Sequence, residues 1–133
     1  LDAVADTISS DVYHRCRYVI EEITRMESAC NHLLAGEIDA FGARMYETHI
    51  GLSKLYNVSC PELDLIVENC MKEDAIIGAR MMGGGFGGCV IALVQTTELE
   101  TVYNRINAVY ENAFGRSMGK YVMQIGNGTR VLN

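Results

Sequence analysis

A mixed α+β domain is predicted by three features of the sequence. Apolar residues recur at three- and four-residue intervals through most of residues 2–70, the period of helices that bury one face. Two short apolar runs, Ala75–Arg80 and Cys89–Val94, flank a cluster of five glycines, and runs of that length suit strands joined by a tight turn. The whole chain, residues 1–133, falls within the usual size of one domain and can bury a core. Strands separated by a short turn pair antiparallel, and the helices must then cover one face of the sheet.

Residues 2–35 carry Val4, Ile8, Val12, Val19, Ile23, Met26, Cys30 and Leu33 or Leu34 on a helical period. The spacing predicts a long amphipathic helix with a break near Ser9-Ser10 and Gly36 as its stop. Ile38, Phe41, Met45, His49, Leu52 and Leu55 mark a second helix, weakened by Gly42 and Gly51, each costing about 1 kcal/mol against Ala. Tertiary packing must offset that loss. Ser59-Cys60-Pro61-Glu62 reads as a capping box with Pro in the first turn, opening a third helix that buries Leu63, Ile66, Val67 and Cys70 and ends near Lys72-Glu73. The two strands follow, the second being apolar at both parities as a strand covered on both faces requires. Thr97-Glu98-Leu99-Glu100 repeats the capping-box pattern and opens a fourth helix through Val102, Ile106, Val109 and Phe114, which Gly115 terminates. Tyr121–Ile125 and Thr129–Leu132 read as a hairpin around Gly126-Asn127-Gly128.

Between the first two strands, Gly83, Gly84, Gly85, Gly87 and Gly88 surround a single Phe86. Backbone of this kind reaches left-handed or mirror-β angles and lies close against another surface. Gly83, Gly85 and Gly88 satisfy G-x-G-x-x-G, yet the dinucleotide fingerprint needs a helix after its last glycine to hold a pyrophosphate. A strand follows here, which rejects it. The Walker loop is rejected too, because no Lys-Ser or Lys-Thr follows the glycines. Three readings remain: a turn whose N–H groups cradle an anion, a buttress for a neighbouring loop, or a tight connection with no ligand.

A net charge of −6 without clustered Lys and Arg argues against a nucleic-acid surface. No apolar run reaches the roughly 18 residues of a membrane span and no leader opens the chain, so a soluble protein is expected. The five cysteines are odd in number, lack a C-x-x-C pair and fall mostly on apolar faces, the pattern of a reducing cytoplasm. The chain opens on Leu1 and not Met, from which a piece of a longer protein is expected. His14, His32 and His49 are too widely spaced for a metal site, and Glu21-Glu22 and Glu37-Asp39 are solvated helix charges, so no metal ligand or catalytic pair is assigned. Met side chains fill core gaps, and Tyr46, Tyr56 and Phe86 are expected to pack.

The stretch Gly78-Ala79-Arg80-Met81-Met82-Gly83-Gly84-Gly85-Phe86-Gly87-Gly88-Cys89 closely resembles the third signature motif of the galactokinases. These sit within the wider group that phosphorylates galactose, homoserine, mevalonate and phosphomevalonate. Upstream, Glu47-Thr48-His49 followed by Leu52, Tyr56 and Val58-Ser59-Cys60-Pro61-Glu62-Leu63-Asp64 resembles the segment before that motif, and the likeness runs from about residue 14 to the C-terminus. The resemblance implies a ferredoxin-like antiparallel sheet elaborated with extra N-terminal helices. It implies the C-terminal domain of an enzyme that transfers the ATP γ-phosphate to the 1-hydroxyl of galactose with Mg²⁺. Its partners would be its own N-terminal kinase domain, galactose and ATP.

In such enzymes the phosphate loop, the Mg²⁺ ligands and the catalytic Asp and Arg lie in the N-terminal domain, and no counterpart is found in this sequence. The isolated chain is then expected to be inactive. Gly83, Gly84, Gly85, Phe86, Gly87 and Gly88 would border the cleft and support the nucleotide phosphate loop, with His49 fixing its helix against the turn. Galactokinases commonly place Thr or Ser where Met82 stands, so a hydroxyl donor is lost and contacts fall to the backbone N–H groups. Arg80 would reach a phosphate or buttress strand against helix. Two other implied readings are a kinase of the same group acting on another sugar or an isoprenoid alcohol, and a galactokinase-like sensor without chemistry.

Overall fold

The computed structural model describes residues 1–126, 128 and 131. A 3-10 turn at Asp2–Thr7 leads into helices α1 (Ser10–Ala35), α2 (Ile38–Lys54) and α3 (Pro61–Cys70). Strands β1 (Ile76–Met82) and β2 (Cys89–Val94) follow, and α4 (Leu99–Phe114) closes the series after a short 3-10 turn at Thr96–Glu98. The strands pair antiparallel, Arg80 opposite Ile91 and Met81 opposite Val90, with a register shift between Ile76 and Gly78. The α+β class and the antiparallel pairing are as expected. Among the described residues no helix is long and apolar enough to cross a membrane.

Helix α1 starts where Ser9 Oγ accepts the Val12 N–H and ends where Gly36 enters the left-handed region, its N–H turned back to the last turn of the helix. Its stripe of Val12, Val19, Ile23, Met26 and Leu33 stays exposed, and Tyr18 is its one fully buried side chain among the described residues. The Tyr18 ring lies against Gly51 of α2 and stacks on Tyr56 at 5.4 Å. Polar groups complete the contact with α2: Arg25 joins Glu22 and Glu47, and Thr48 Oγ1 donates to Glu22 Oε1 at 2.7 Å. The helix period was legible, but the face that α1 turns to α2 is the polar one.

Helix α2 lies directly on β1. A Cβ at Gly42 would come within 2.0 Å of the Ile77 carbonyl oxygen, and one at Gly78 within 2.5 Å of the Gly42 Cα. Close backbone approach is why both positions are glycine, and it offsets the helix propensity lost at Gly42. From this seat Tyr46 Oη donates to the Ile76 carbonyl at 3.3 Å, and the Met81 N–H donates to His49 Nδ1 at 3.2 Å. The outer edge of β1 is thereby covered by a helix. Helices α3 and α4 enclose the main core with the sheet: Val67 and Cys70, Ile76 and Ala79, Val102 and Ile106, surrounded by Tyr46, Val90, Ala92, Val94 and Met118.

Three local expectations are corrected. The capping boxes do not form: Cys60 and Glu98 stand at the two N-caps without a side-chain hydrogen bond. Ser59 turns its hydroxyl to Asp64 instead, and the turn at Thr96–Glu98 carries the chain into α4. Strand β1 runs on through Met82, because the ladder to β2 extends to the Met82–Cys89 pair. The chain after α4 is anchored as far as Lys120, through Tyr103 Oη to the Met118 carbonyl (2.7 Å), the Met118 N–H to Asn107 Oδ1 (2.8 Å) and Lys120 Nζ to Glu100 (2.6 Å). Tyr121–Ile125, expected as a strand, has no ladder partner among the described residues, and Tyr121, Val122, Met123 and Ile125 are exposed. Of its expected mate Thr129–Leu132, only Val131 lies within the described residues. A strand needs a partner edge, and an isolated hairpin is marginal in water.

Gly42→Ala is expected to destabilise the chain by about 3 kcal/mol or more despite the gain in helix propensity, because the added methyl meets backbone that cannot give way. Gly51→Ala, which meets the Tyr18 ring and not backbone, should lose less, about 1–2 kcal/mol. Urea unfolding of the two variants checks the order, and a Gly42→Ala protein as stable as the parent would contradict the contact.

Candidate functional site

The turn from Gly83 to Gly88 projects from the end of the hairpin. Gly83, Gly85, Gly87 and Gly88 have φ of 104°, 92°, 129° and 107°, and Phe86 shares the left-handed region at φ 60° although it carries a side chain. Such a residue costs roughly 1–3 kcal/mol and needs something to hold it. The hold is one hydrogen bond, from the Phe86 N–H to the Val58 carbonyl at 2.6 Å. Gly85 makes that approach possible, since a Cβ there would stand 2.5 Å from the Val58 oxygen. The linker between α2 and α3 therefore clamps the turn at one point.

Away from that point the turn is open. A Cβ at Gly83, Gly84 or Gly87 would meet nothing within 4 Å, and the N–H groups of these three residues meet no acceptor among the described residues. The Phe86 ring is 79% exposed, so its expected packing role is not met by this chain, whereas Tyr46 and Tyr56 do pack. Met82, at the end of β1, is half exposed. The six residues expected at the site are thus contiguous and accessible, on a protrusion. The surface depressions around Lys72 and Arg105 and beside His49 and Ile50 are lined by none of them.

Beneath the turn, a buried network holds the strand that carries it. His49 is 3% exposed and accepts the Met81 N–H on Nδ1, which places its proton on Nε2, facing Asp64 Oδ1 at 3.3 Å. Asp64 also accepts from Ser59 Oγ (2.5 Å) and Ser53 Oγ (2.8 Å). Side chains from α2, the linker and α3 thus converge on one strand amide, two residues before the first glycine of the turn. Burial holds the His49 pKa below its ordinary 6.5, against the opposing pull of Asp64. His49 fixes its helix against the end of β1 and not against the glycine turn itself, where the resemblance placed it. Sequence reasoning missed Asp64 and the two serines as its partners, because they stand on separate elements with no shared period.

Chemically, the turn offers backbone donors to an anion or to a partner loop, and no acid, base or nucleophile. Arg80 lies on β1 opposite Ile91. Among the described residues no group of three or more His, Cys, Asp or Glu is placed to hold a metal ion. Cys70 is buried, its thiol pushed up to about 12 by desolvation, and has the character of a core residue.

Residues 26–112 match the family described as GHMP kinases C terminal. The galactokinase of Bos taurus is 37% identical over 133 residues, covering 100% of this chain and 33% of the relative. That of Homo sapiens is 37% identical over 132 residues (99% and 33%), and that of Clostridium perfringens 37% over 119 residues (90% and 31%). The crystal structure of Lactococcus lactis galactokinase complexed with galactose superposes with a TM-score of 0.90 at 36% identity, over 96% of this chain and 33% of that one. The chain spans about a third of the length of these relatives.

The His49 network predicts a pH dependence. A proton on Nδ1 would confront the Met81 N–H, so protonation breaks that bond. Because the folded pKa lies below the ordinary 6.5, the stabilisation is complete above that value and is lost as pH falls through the lower folded one. The urea midpoint should therefore begin to drop as pH falls below about 6.5. His49→Gln, which keeps an acceptor and a donor but does not titrate there, should flatten that limb; an unchanged slope in this variant would place the titrating group elsewhere.

Proposed function

Since this chain belongs to the GHMP kinases as their C-terminal domain, we propose that it forms the C-terminal lobe of a galactokinase. The complete enzyme moves the γ-phosphoryl group of ATP to the 1-hydroxyl of galactose. The supporting observation is a conjunction: galactokinase similarity runs through nearly all 133 residues, and in the turn the N–H groups of Gly83, Gly84 and Gly87 meet no acceptor among the described residues.

Phosphoryl transfer needs donors around the ATP phosphates, a metal to neutralise developing charge, and a group that positions the attacking hydroxyl. The N–H groups of Gly83, Gly84 and Gly87, which meet no acceptor among the described residues, fit the first need, because the free amides of a turn can form an anion-binding concavity. They would face the nucleotide phosphates or the phosphate loop of the N-terminal domain. Among the described residues no group of three or more His, Cys, Asp or Glu is placed to hold an ion; on this reading the Mg²⁺ ligands and the catalytic base would come from the N-terminal domain. Bound there, the ion would offset negative charge on the transferring group.

What this chain contributes is shape held in advance. The Val58 clamp and the His49–Asp64 network fix the two ends of the approach to the turn, and pre-ordered donors need no reorganisation when charge develops. The Phe86 ring, standing off the tip, would seat on the second domain and exclude water as the lobes close.

In a coupled assay with galactose and ATP, the full-length polypeptide should turn over and the 133-residue chain should not. Turnover by the chain alone, or none by the full-length protein on galactose, would sink the proposal; activity on another sugar or an isoprenoid alcohol would move it to a neighbouring branch, and ligand-dependent partner binding without transfer would make it a sensor. A finer test uses Gly84→Ala, which meets open space within this chain. Its stability should stay within about 0.5 kcal/mol of the parent. In the full-length enzyme kcat/KM should nevertheless fall by about tenfold or more, as displacement of a positioning element does. Unchanged kinetics would remove the turn from the cleft.

A further inference from the structure

Among the described residues, two that carry side chains hold left-handed backbone, Asn57 at φ 57° and Phe86 at φ 60°. One hydrogen bond brings them together. The Phe86 N–H donates at 2.6 Å to the carbonyl of Val58, the residue that follows Asn57. Left-handed backbone is costly for a residue with a Cβ, and such positions persist only where their surroundings over-determine them. Strain on both sides of one bond marks a built contact.

The base of this contact is the end of α2. The helix closes wide: the Leu55 and Tyr56 N–H groups both donate to the Gly51 carbonyl, at 3.0 and 2.9 Å, and the Val58 N–H returns to the Leu52 carbonyl at 3.0 Å. A left-handed residue between Tyr56 and Val58 turns the chain back for that last bond, the task that glycine or asparagine performs at helix ends. Val58 thus engages both of its main-chain groups, the N–H on α2 and the carbonyl on the glycine turn. On the other side of Asn57, Tyr56 is stacked on Tyr18 of α1 at 5.4 Å. The direction of the Val58 carbonyl is therefore set by the backbone angles of Asn57, with two helices behind it. The Asn57 side chain is exposed and makes no hydrogen bond among the described residues. Its backbone, and not its amide group, is what the contact requires.

We propose that Asn57 is a positioning residue for phosphoryl transfer: its left-handed backbone aims the Val58 carbonyl at Phe86 and so fixes where the amides of Gly83, Gly84 and Gly87 stand. The inference rests on the reading that the glycine turn lines the nucleotide cleft. It adds a residue outside the turn that controls the turn without approaching substrate. Gly85 lets the two segments touch, with its Cα direction 2.5 Å short of the Val58 oxygen at the Cβ position, so a shift of that carbonyl passes directly to the turn. An Asn57 that served only as a helix cap would alter stability and leave the kinetics of the folded enzyme unchanged.

Two substitutions in the full-length protein separate backbone from side chain. Asn57→Gly removes the amide group and accepts the left-handed angle, whereas Asn57→Val removes it and places a β-branched residue where such residues are outliers. In Asn57→Val the clamp should open about tenfold more often, read as about tenfold faster amide exchange at Phe86. One hydrogen bond here balances two left-handed residues, so the held state is only modestly favoured, and kcat/KM for ATP should fall by about threefold or more, with the loss carried by kcat. Asn57→Gly should rescue both readouts to within about twofold of the parent. Parent-like exchange at Phe86 in Asn57→Val would overturn the proposal, because the carbonyl would then hold its aim without Asn57. Equal losses in the two variants would overturn it as well, by assigning the effect to the side chain. Faster exchange at Phe86 with parent kinetics would defeat the cleft reading of the turn, and with it the role in transfer, while leaving Asn57 as the residue that holds the turn.

Discussion

The contact of α2 with β1 is the constraint from which the rest of the structure follows. A helix normally stands off a strand by the width of its side chains. Here Gly42 and Gly78 remove that spacing, and helix backbone meets strand backbone at Ile77. Only at this distance do the short reaches of Tyr46 and His49 end on the main chain of β1. Each is a hydrogen bond to a backbone group that would otherwise be buried without a partner, a situation that costs about 1–3 kcal/mol. The two glycines are therefore weak residues for a helix and a strand but strong ones for the pair.

From that seat the order passes outward by polar contacts and not by a larger core. His49 binds Met81 on one side and Asp64 on the other, and Asp64 gathers Ser53 and Ser59. The linker that holds Ser59 also holds Val58, whose carbonyl fixes Phe86 in the left-handed region. A single connected path thus runs from the helix–strand contact to the tip of the glycine turn. Packing alone could not do this, because the turn has almost no side chains to pack. A segment with so little side chain has to be held through its backbone, and the bond from the Phe86 N–H to the Val58 carbonyl does so.

Much of the fold was legible because it rests on local rules. Gly36 and Gly115 end α1 and α4 as their positions suggest, and the apolar run Cys89–Val94 is a strand. The capping boxes were misread for a physical reason: Ser59 has a stronger use, a charged acceptor at 2.5 Å, than the amides of its own helix. Periodicity located α1 but not its inner face, since Val19, Ile23 and Met26 look outward while Glu22, Arg25 and Thr48 make the contact. A period reports that a helix has an apolar side; it does not say which chain covers it. The glycine turn was visible as composition, but its clamp was not, because Val58 acts through a carbonyl that every residue possesses.

The exposed apolar positions complete the picture when they are taken together. Phe86 at the tip, the stripe on α1 and the tail at Tyr121–Ile125 are all features that a self-sufficient domain of this size would bury or charge. The main core, by contrast, is closed: Val67 and Ala79 are fully buried, and β1 has its outer edge sealed. The interior is thus finished while several apolar surfaces among the described residues stay open. On the reading proposed above, the chain's contribution to catalysis would be geometric, holding amides in position for a charge that develops on the other side of a cleft. That division suits phosphoryl transfer, in which positioning and electrostatic stabilisation carry most of the rate and a lobe without a base or a metal ligand can still be indispensable.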